Sequence, residues 1–185
     1  MSRIPTPASI ETSPANSQPL LEAVKKKVGS VPNIHRIIGN SPAGLEGYLG
    51  LSGALGKGTL DPRTRERLAL TVAELNGCDY CLSAHSYLGK NVQKLDDAEL
   101  LANRNGSSSD DKAKAALVFA TKLVKARGQV DDADIQQLKS AGYDDAQVVE
   151  VILHVTLNTL TNYINIALAT EVDFPKVRAK ANLPV

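Results

Sequence analysis

Cys78 and Cys81 are the only cysteines in a chain of 185 residues, and His85 follows the second of them by four positions. Two thiols at this offset can close a disulfide or share a metal ion. A helix that starts at the first of them surrounds the sulfurs with unpaired backbone N–H groups and the positive end of a dipole, which favours thiolate over thiol. Thiolate is the nucleophile in disulfide exchange and in peroxide reduction, so a C-x-x-C at a helix start can hold one attacking and one resolving sulfur. His85 stands one turn below Cys81 on the same face, within reach for passing a proton to the sulfur or a leaving group. Glu66, twelve residues before Cys78, shares a helix face with Ala69, Leu70 and Ala73. A partly desolvated carboxylate there has its pKa raised toward the range of a proton shuttle, whereas the plainer reading makes it a solvated partner of Arg63 or Arg67.

The elements that must position these residues read as helix after helix. Asp61-Pro62 supplies an N-cap and a proline at the first helical position, and "RTRERLALTVAEL" then runs to Asn76-Gly77, which delivers the chain to Cys78. A second helix spans Asp79 to Gly89. Upstream, "PLLEAVKKKVG" places Leu20, Leu21, Val24 and Val28 at helical spacing and stops at Gly29; a short turn at "NIHRIIG" and a glycine-dotted helix from Ser41 follow. Downstream come "DDAELLAN", the amphipathic "DDKAKAALVFATKLVKARG", "DDADIQQLKSAG" and a long apolar segment opened by Asp144. No stretch alternates with period two over a strand length, so the fold class is all-α. Residues 1–17, rich in Pro, Ser and Thr, read as an extended arm, and residues 18–185 as a single helical domain.

Composition narrows the function classes. Twenty-one Lys and Arg against twenty Asp and Glu, scattered along the chain, leave no basic footprint for nucleic acid or an anionic membrane. His154, Asn158, Asn162 and Asn165 interrupt the most apolar segment, which argues against a transmembrane helix, and the opening residues lack a signal-peptide core. The expectation is a soluble cytoplasmic protein, where a close cysteine pair is catalytic, redox-active or metal-binding more often than structural.

The arrangement of Glu66, eleven intervening residues, Cys78-Asp79-Tyr80-Cys81, three residues and His85 resembles the signature of the alkylhydroperoxidase D-like (AhpD-like) group in the carboxymuconolactone decarboxylase superfamily. The stretch "TLNTLTNYINIALATEVDFP" resembles the C-terminal part of its uncharacterised peroxidase-related members. The resemblance implies an AhpD-like helical domain in homo-oligomers and thiol-dependent reduction of hydroperoxides without a cofactor. By it, Cys81 attacks the peroxide, Cys78 resolves, and Glu66 and His85 relay protons. It also implies a thiol reductant such as a lipoyl or thioredoxin-like protein. Well-studied members carry a histidine between the cysteines; here Tyr80 stands in that place, and a phenol at its usual pKa is a poor base at neutral pH.

His154, Asn158 and Asn162 form a polar stripe at four-residue steps inside Val/Ile/Leu surroundings. The stripe either satisfies neighbours in a core or subunit contact or faces the cysteine pocket. His35 has no companion motif and reads as a packing residue or as part of a pocket mouth. The rival functions are general thiol–disulfide exchange, a non-enzymatic helical interaction protein, and a zinc site built from the two cysteines, His85 and either His154 or Glu66. The last lacks the second closely spaced ligand pair of a usual structural site. The segment from Asp144 to about Thr170 carries apolar side chains all round, which predicts that part of it is covered by a second copy of the chain.

Overall fold

The computed structural model describes residues 1–182, so the last three positions of the 18–185 domain lie outside the described residues. Among the described residues nine α-helices follow in order: α1 (Gln18–Val28), α2 (Asn33–Ile38), α3 (Pro42–Leu55), α4 (Pro62–Asn76), α5 (Asp79–Asn91), α6 (Asp97–Arg104), α7 (Asp111–Lys125), α8 (Asp132–Ser140) and α9 (Asp145–Leu168). No strand occurs among the described residues. Aspartates start most of the second half. Asp61, Asp96, Asp110, Asp131 and Asp144 each accept the backbone N–H three residues on, at α4 and at α6 to α9. Gly77, with φ 70°, takes the left-handed turn that closes α4, and the chain enters α5 at the very next residue.

Helix α4 is the hub. Its packing partners are α5, α6, α7 and α9. Leu70 and Ala73 on one face join a cluster with Leu21, Ile37, Leu45, Tyr80, Cys81 and Leu82, and Leu68 and Val72 on another join Leu117, Ala120, Leu138, Val151 and Val155. Each fully buried leucine contributes about 1.5–3 kcal/mol of hydrophobic stabilisation. α9, the segment expected to be apolar all round, is long and apolar enough by length and composition to cross a membrane. In the fold it packs on α3, α4, α5 and α7, and it buries His154, Asn158, Asn162 and Asn165 inward while Val149, Leu160, Tyr163 and Ile166 face outward.

The first residues and the segment after α9 are fastened to the helices. The Arg3 backbone N–H donates to the Leu168 carbonyl and its guanidinium to the Ala167 carbonyl, while the Asn40 side chain donates to the Pro5 carbonyl. After α9 the tail crosses the start of α5. The Val177 N–H donates to Ser83 Oγ (2.9 Å), Ala179 N–H to Asp79 Oδ1 (2.8 Å) and Lys180 N–H to Glu74 Oε1 (2.7 Å). Glu74 also accepts from Arg104 Nε at 2.6 Å, so one partly buried carboxylate ties α4 to α6 and to the tail.

Candidate active site

Cys78 is itself the N-cap of α5: its backbone is extended (φ −91°, ψ 96°) and its Sγ accepts the Cys81 N–H at 3.2 Å. That cap holds the two residues so that their Cα atoms are 5.3 Å apart, inside the range a disulfide needs, and the sulfurs are bonded to each other. Both residues are buried, at 1% and 3% exposure. Cys78, together with Tyr80, Asn165, Ile166, Thr170 and Val172, lines an open cavity of about 310 Å³; Cys81 is not among its lining residues.

One turn further along α5, His85 Nδ1 meets Glu66 Oε1 of α4 at 2.6 Å. The pair is half-buried, with side-chain exposures of 25% for His85 and 14% for Glu66. Burial pushes the imidazole toward its neutral form, but the charge and hydrogen bond of Glu66 outweigh burial, and the His85 pKa is raised. The partner of Glu66 is therefore His85; Arg67, a candidate from the sequence, turns instead to Glu99 at 2.8 Å. Gly89 permits the close approach of α6 to α5, since a Cβ there would stand 2.9 Å from Leu100 Cδ2.

Tyr80 is buried, its ring edge-on to Phe174 and its hydroxyl accepting the Ile34 N–H at 3.1 Å. Burial, with help from the nearby Asp173 charge, pushes the phenol pKa well up. It thus anchors α2 to α5 as a neutral hydrogen-bonding group and does not serve as a base.

The α9 stripe divides. Asn158 Nδ2 donates to the His154 carbonyl, and Asn162 Oδ1 accepts from Asn76 Nδ2 at 2.9 Å, so both serve helix and interhelix contacts. His154 has Arg65 and Glu150 as charged neighbours; burial first, then Arg65, lowers its pKa to about 4. Neither His154, Asn158 nor Asn162 lines the Cys78 cavity. His35 stacks at a tilt on Tyr48, 5.7 Å between ring centres, and burial lowers its pKa to about 4. The residue the sequence reading passed over is Asn165, whose Nδ2 donates to Cys81 Sγ at 3.3 Å. Its signal was the continuation of the stripe by three positions beyond Asn162. Among the described residues no group of three or more His, Cys, Asp or Glu side chains could hold a metal ion.

Comparison with known proteins bears on the class. The model of the carboxymuconolactone decarboxylase family matches residues 42–122, a span that holds Glu66, Cys78, Cys81 and His85. No curated protein matches the chain in sequence. Among solved structures, an uncharacterized peroxidase-related protein from Ralstonia eutropha JMP134, described as an alkylhydroperoxidase AhpD core, superposes with a TM-score of 0.82 at 24% identity, covering 93% of this chain and 92% of its own. An uncharacterized peroxidase-related protein from Silicibacter sp. TM1040 gives 0.79 at 24% identity, covering 92% and 91%. The debrominase Bmp8, in complex with 2,3,4-tribromopyrrole, gives 0.77 at 18% identity, covering 94% of each chain. Over residues 42–122 the chain is thus similar to the carboxymuconolactone decarboxylase family. Its AhpD-like all-helical fold is one shared with peroxidase-related proteins and with a debrominase.

Proposed function

We propose that the protein is a thiol-dependent peroxidase that cycles Cys78 and Cys81 between dithiol and disulfide. The observation that carries this reading is the Glu66–His85 hydrogen bond, 2.6 Å long, one helical turn from a cysteine pair already placed for disulfide closure. In the reduced protein the Cys81 thiolate attacks the terminal oxygen of a hydroperoxide. An S–O bond forms, the O–O bond breaks, and the departing alkoxide takes a proton from His85, leaving an alcohol and a Cys81 sulfenic acid. Cys78 then attacks the Cys81 sulfur; the S–S bond forms, the S–O bond breaks and water leaves with a proton from the relay. A dithiol reductant, of the lipoyl or thioredoxin-like kind, returns two electrons and two protons and restores both thiols. Glu66 holds the His85 ring by its Nδ1 and favours the imidazolium needed for the first proton transfer.

The same reading places the protein in the cytoplasm, where thiol reductants are available, and in homo-oligomers that cover Val149, Leu160, Tyr163 and Ile166 of α9, with a solution mass above the 19.7 kDa of one chain. The deciding experiment titrates thiols before and after hydroperoxide, with metal content measured on the same sample. Two thiols per chain are lost and dithiothreitol restores both. Cys81→Ser abolishes the first oxidation event, whereas Cys78→Ser permits one event and blocks turnover. An irreversible sulfinate on Cys81 with Cys78 still free, or equal loss of the first event in both variants, refutes the division of roles.

A further inference from the structure

Helix α9 presents five buried polar side chains toward the body of the protein, and four of them make their contacts away from the sulfurs: Asn158 and Thr161 bond the helix backbone, Asn162 bonds Asn76, and His154 has Arg65 and Glu150 as charged neighbours. Asn165 differs. Its amide nitrogen donates to Cys81 Sγ at 3.3 Å, while its Oδ1, like Asn162 Nδ2 and His154 Nε2, is buried without a hydrogen-bond partner. A buried amide N–H gains more from an oxygen acceptor than from neutral sulfur, which is a weak acceptor. The Asn165 amide gives its N–H to sulfur. The preference reverses in energy when the sulfur carries a negative charge, since a hydrogen bond to an anion is about twice as strong as one between neutral groups.

The backbone holds that amide in place. α9 ends one turn later at Ala169, which adopts the left-handed conformation (φ 49°) unusual for a residue with a Cβ, and the Thr170 N–H donates back to the Asn165 carbonyl at 3.0 Å. Asn165 is 3% exposed and Cys81 is likewise buried, so water does not compete for the contact.

We infer that Asn165 is the thiolate-stabilising group of the site: its side-chain N–H favours the charged form of Cys81 and, in reduction of the disulfide, stabilises Cys81 as the leaving sulfur. This deepens the proposed function, on which its catalytic meaning rests, but the contact makes a claim about the sulfur alone. It also separates the two cysteines. Cys78 Sγ accepts a neutral backbone N–H as a helix cap, whereas Cys81 Sγ has a side-chain donor from a second helix. The low-pKa sulfur is therefore Cys81.

The test is a thiol titration without peroxide. In the reduced Cys78→Ser protein every thiolate signal comes from Cys81, and serine keeps the helix cap. The ultraviolet thiolate absorbance is followed against pH in that background, alone and with Asn165→Ala, Asn165→Asp or Asn158→Ala. Asn165→Ala raises the Cys81 pKa by about one unit, about tenfold in thiolate at a pH below both values, and the isosteric Asn165→Asp, which puts a carboxylate where the donor was, raises it further. Asn158→Ala leaves it where it was. An unmoved titration in either folded Asn165 variant overturns the inference. Should both variants fail to fold, the side-chain amide resonance of Asn165 in the Cys78→Ser protein decides: it shifts with the Cys81 titration if the contact holds and stays flat if it does not. A protein that consumes no hydroperoxide yet shows these titrations refutes the proposed function and leaves this assignment standing.

Discussion

Reduction of the Cys78–Cys81 bond is expected to weaken the fold only modestly. A disulfide stabilises chiefly by restricting the unfolded chain, and the restriction scales with the loop closed. Here the cysteines are three positions apart. For a closed loop of about four residues the chain-entropy relation gives roughly 6 cal/mol/K, or about 2 kcal/mol near room temperature. A protein of this length unfolds with an entropy of about 0.4 kcal/mol/K near 60 °C, from about 2.1 cal/mol/K per residue, so the loss corresponds to a fall in Tm of about 5 °C. The assay is a circular-dichroism melt of the wild type with and without dithiothreitol, beside the Cys78→Ser, Cys81→Ser double variant as a chain that cannot close the bond. The wild type falls by a few degrees on reduction and the double variant does not respond. A loss of 15 °C or more, or a broad uncooperative melt, would show that the bond is a structural staple and refute the cycle; identical melts of oxidised and reduced wild type would show that the pair does not close.

Three further outcomes follow from the titratable groups. Glu66→Gln or His85→Ala lowers the hydroperoxide rate about a hundredfold or more, the usual contribution of a positioned acid–base group, and wild-type rates in either variant would return that residue to a structural role. Because the His85 pKa is raised in the fold, its pairing adds stability that is fully present below the ordinary histidine value of 6.5 and is lost as pH rises through the folded value; urea midpoints of wild type and Glu66→Gln should therefore lie further apart at pH 6 than at pH 9. His35 and His154 act in the opposite sense. Burial lowers each from 6.5 to about 4, so each is held neutral in the fold but protonates when unfolded. Stability then falls as pH drops from 6.5 toward 4, by about 2 kcal/mol per histidine at pH 5, and His154→Gln flattens that decline by about its share. A urea midpoint that does not move between pH 7 and pH 5 refutes this account.

Much of the scaffold was legible because its signals are local. Asp61-Pro62, Asn76-Gly77 and Asp144 mark helix ends through caps that act within one turn, and the structure puts ends at those places. The Glu66–His85 pair was within reach of sequence reasoning for a related cause: only Gly77 and Cys78 separate α4 from α5, so the two helices must fold back on each other. Contacts made across long separations left no such mark. Asn165 meets Cys81 over 84 positions, and its neighbours Asn158 and Asn162, equally polar and on the same helix, have other duties. The tail from 171 to 180 has no periodicity to read, yet it lies over the start of α5 and buries Ala179 completely. Gly89 read as a helix end; its actual role, letting α6 approach α5, depends on what stands opposite it.

In the proposed cycle, these long-range contacts let a helix start carry a bond that opens and closes. The first turns of α5 are held from three directions: by α4 through Glu66 and His85, by α9 through Asn165 and Cys81, and by the tail through Asp79 and Ser83. None of these contacts is the disulfide itself. Cutting the S–S bond therefore frees two side chains to turn about their own torsions while the backbone of α5, and with it the His85 ring, stays where its neighbours put it. Were α5 held mainly by the disulfide, each reduction would loosen the relay at the step that needs it, since on the proposed mechanism the His85 proton must be in position when Cys81 is a thiolate and Cys78 is free. The packing thus separates the part that must change, two sulfurs, from the parts that must not: the imidazole, the carboxylate and the asparagine amide around them.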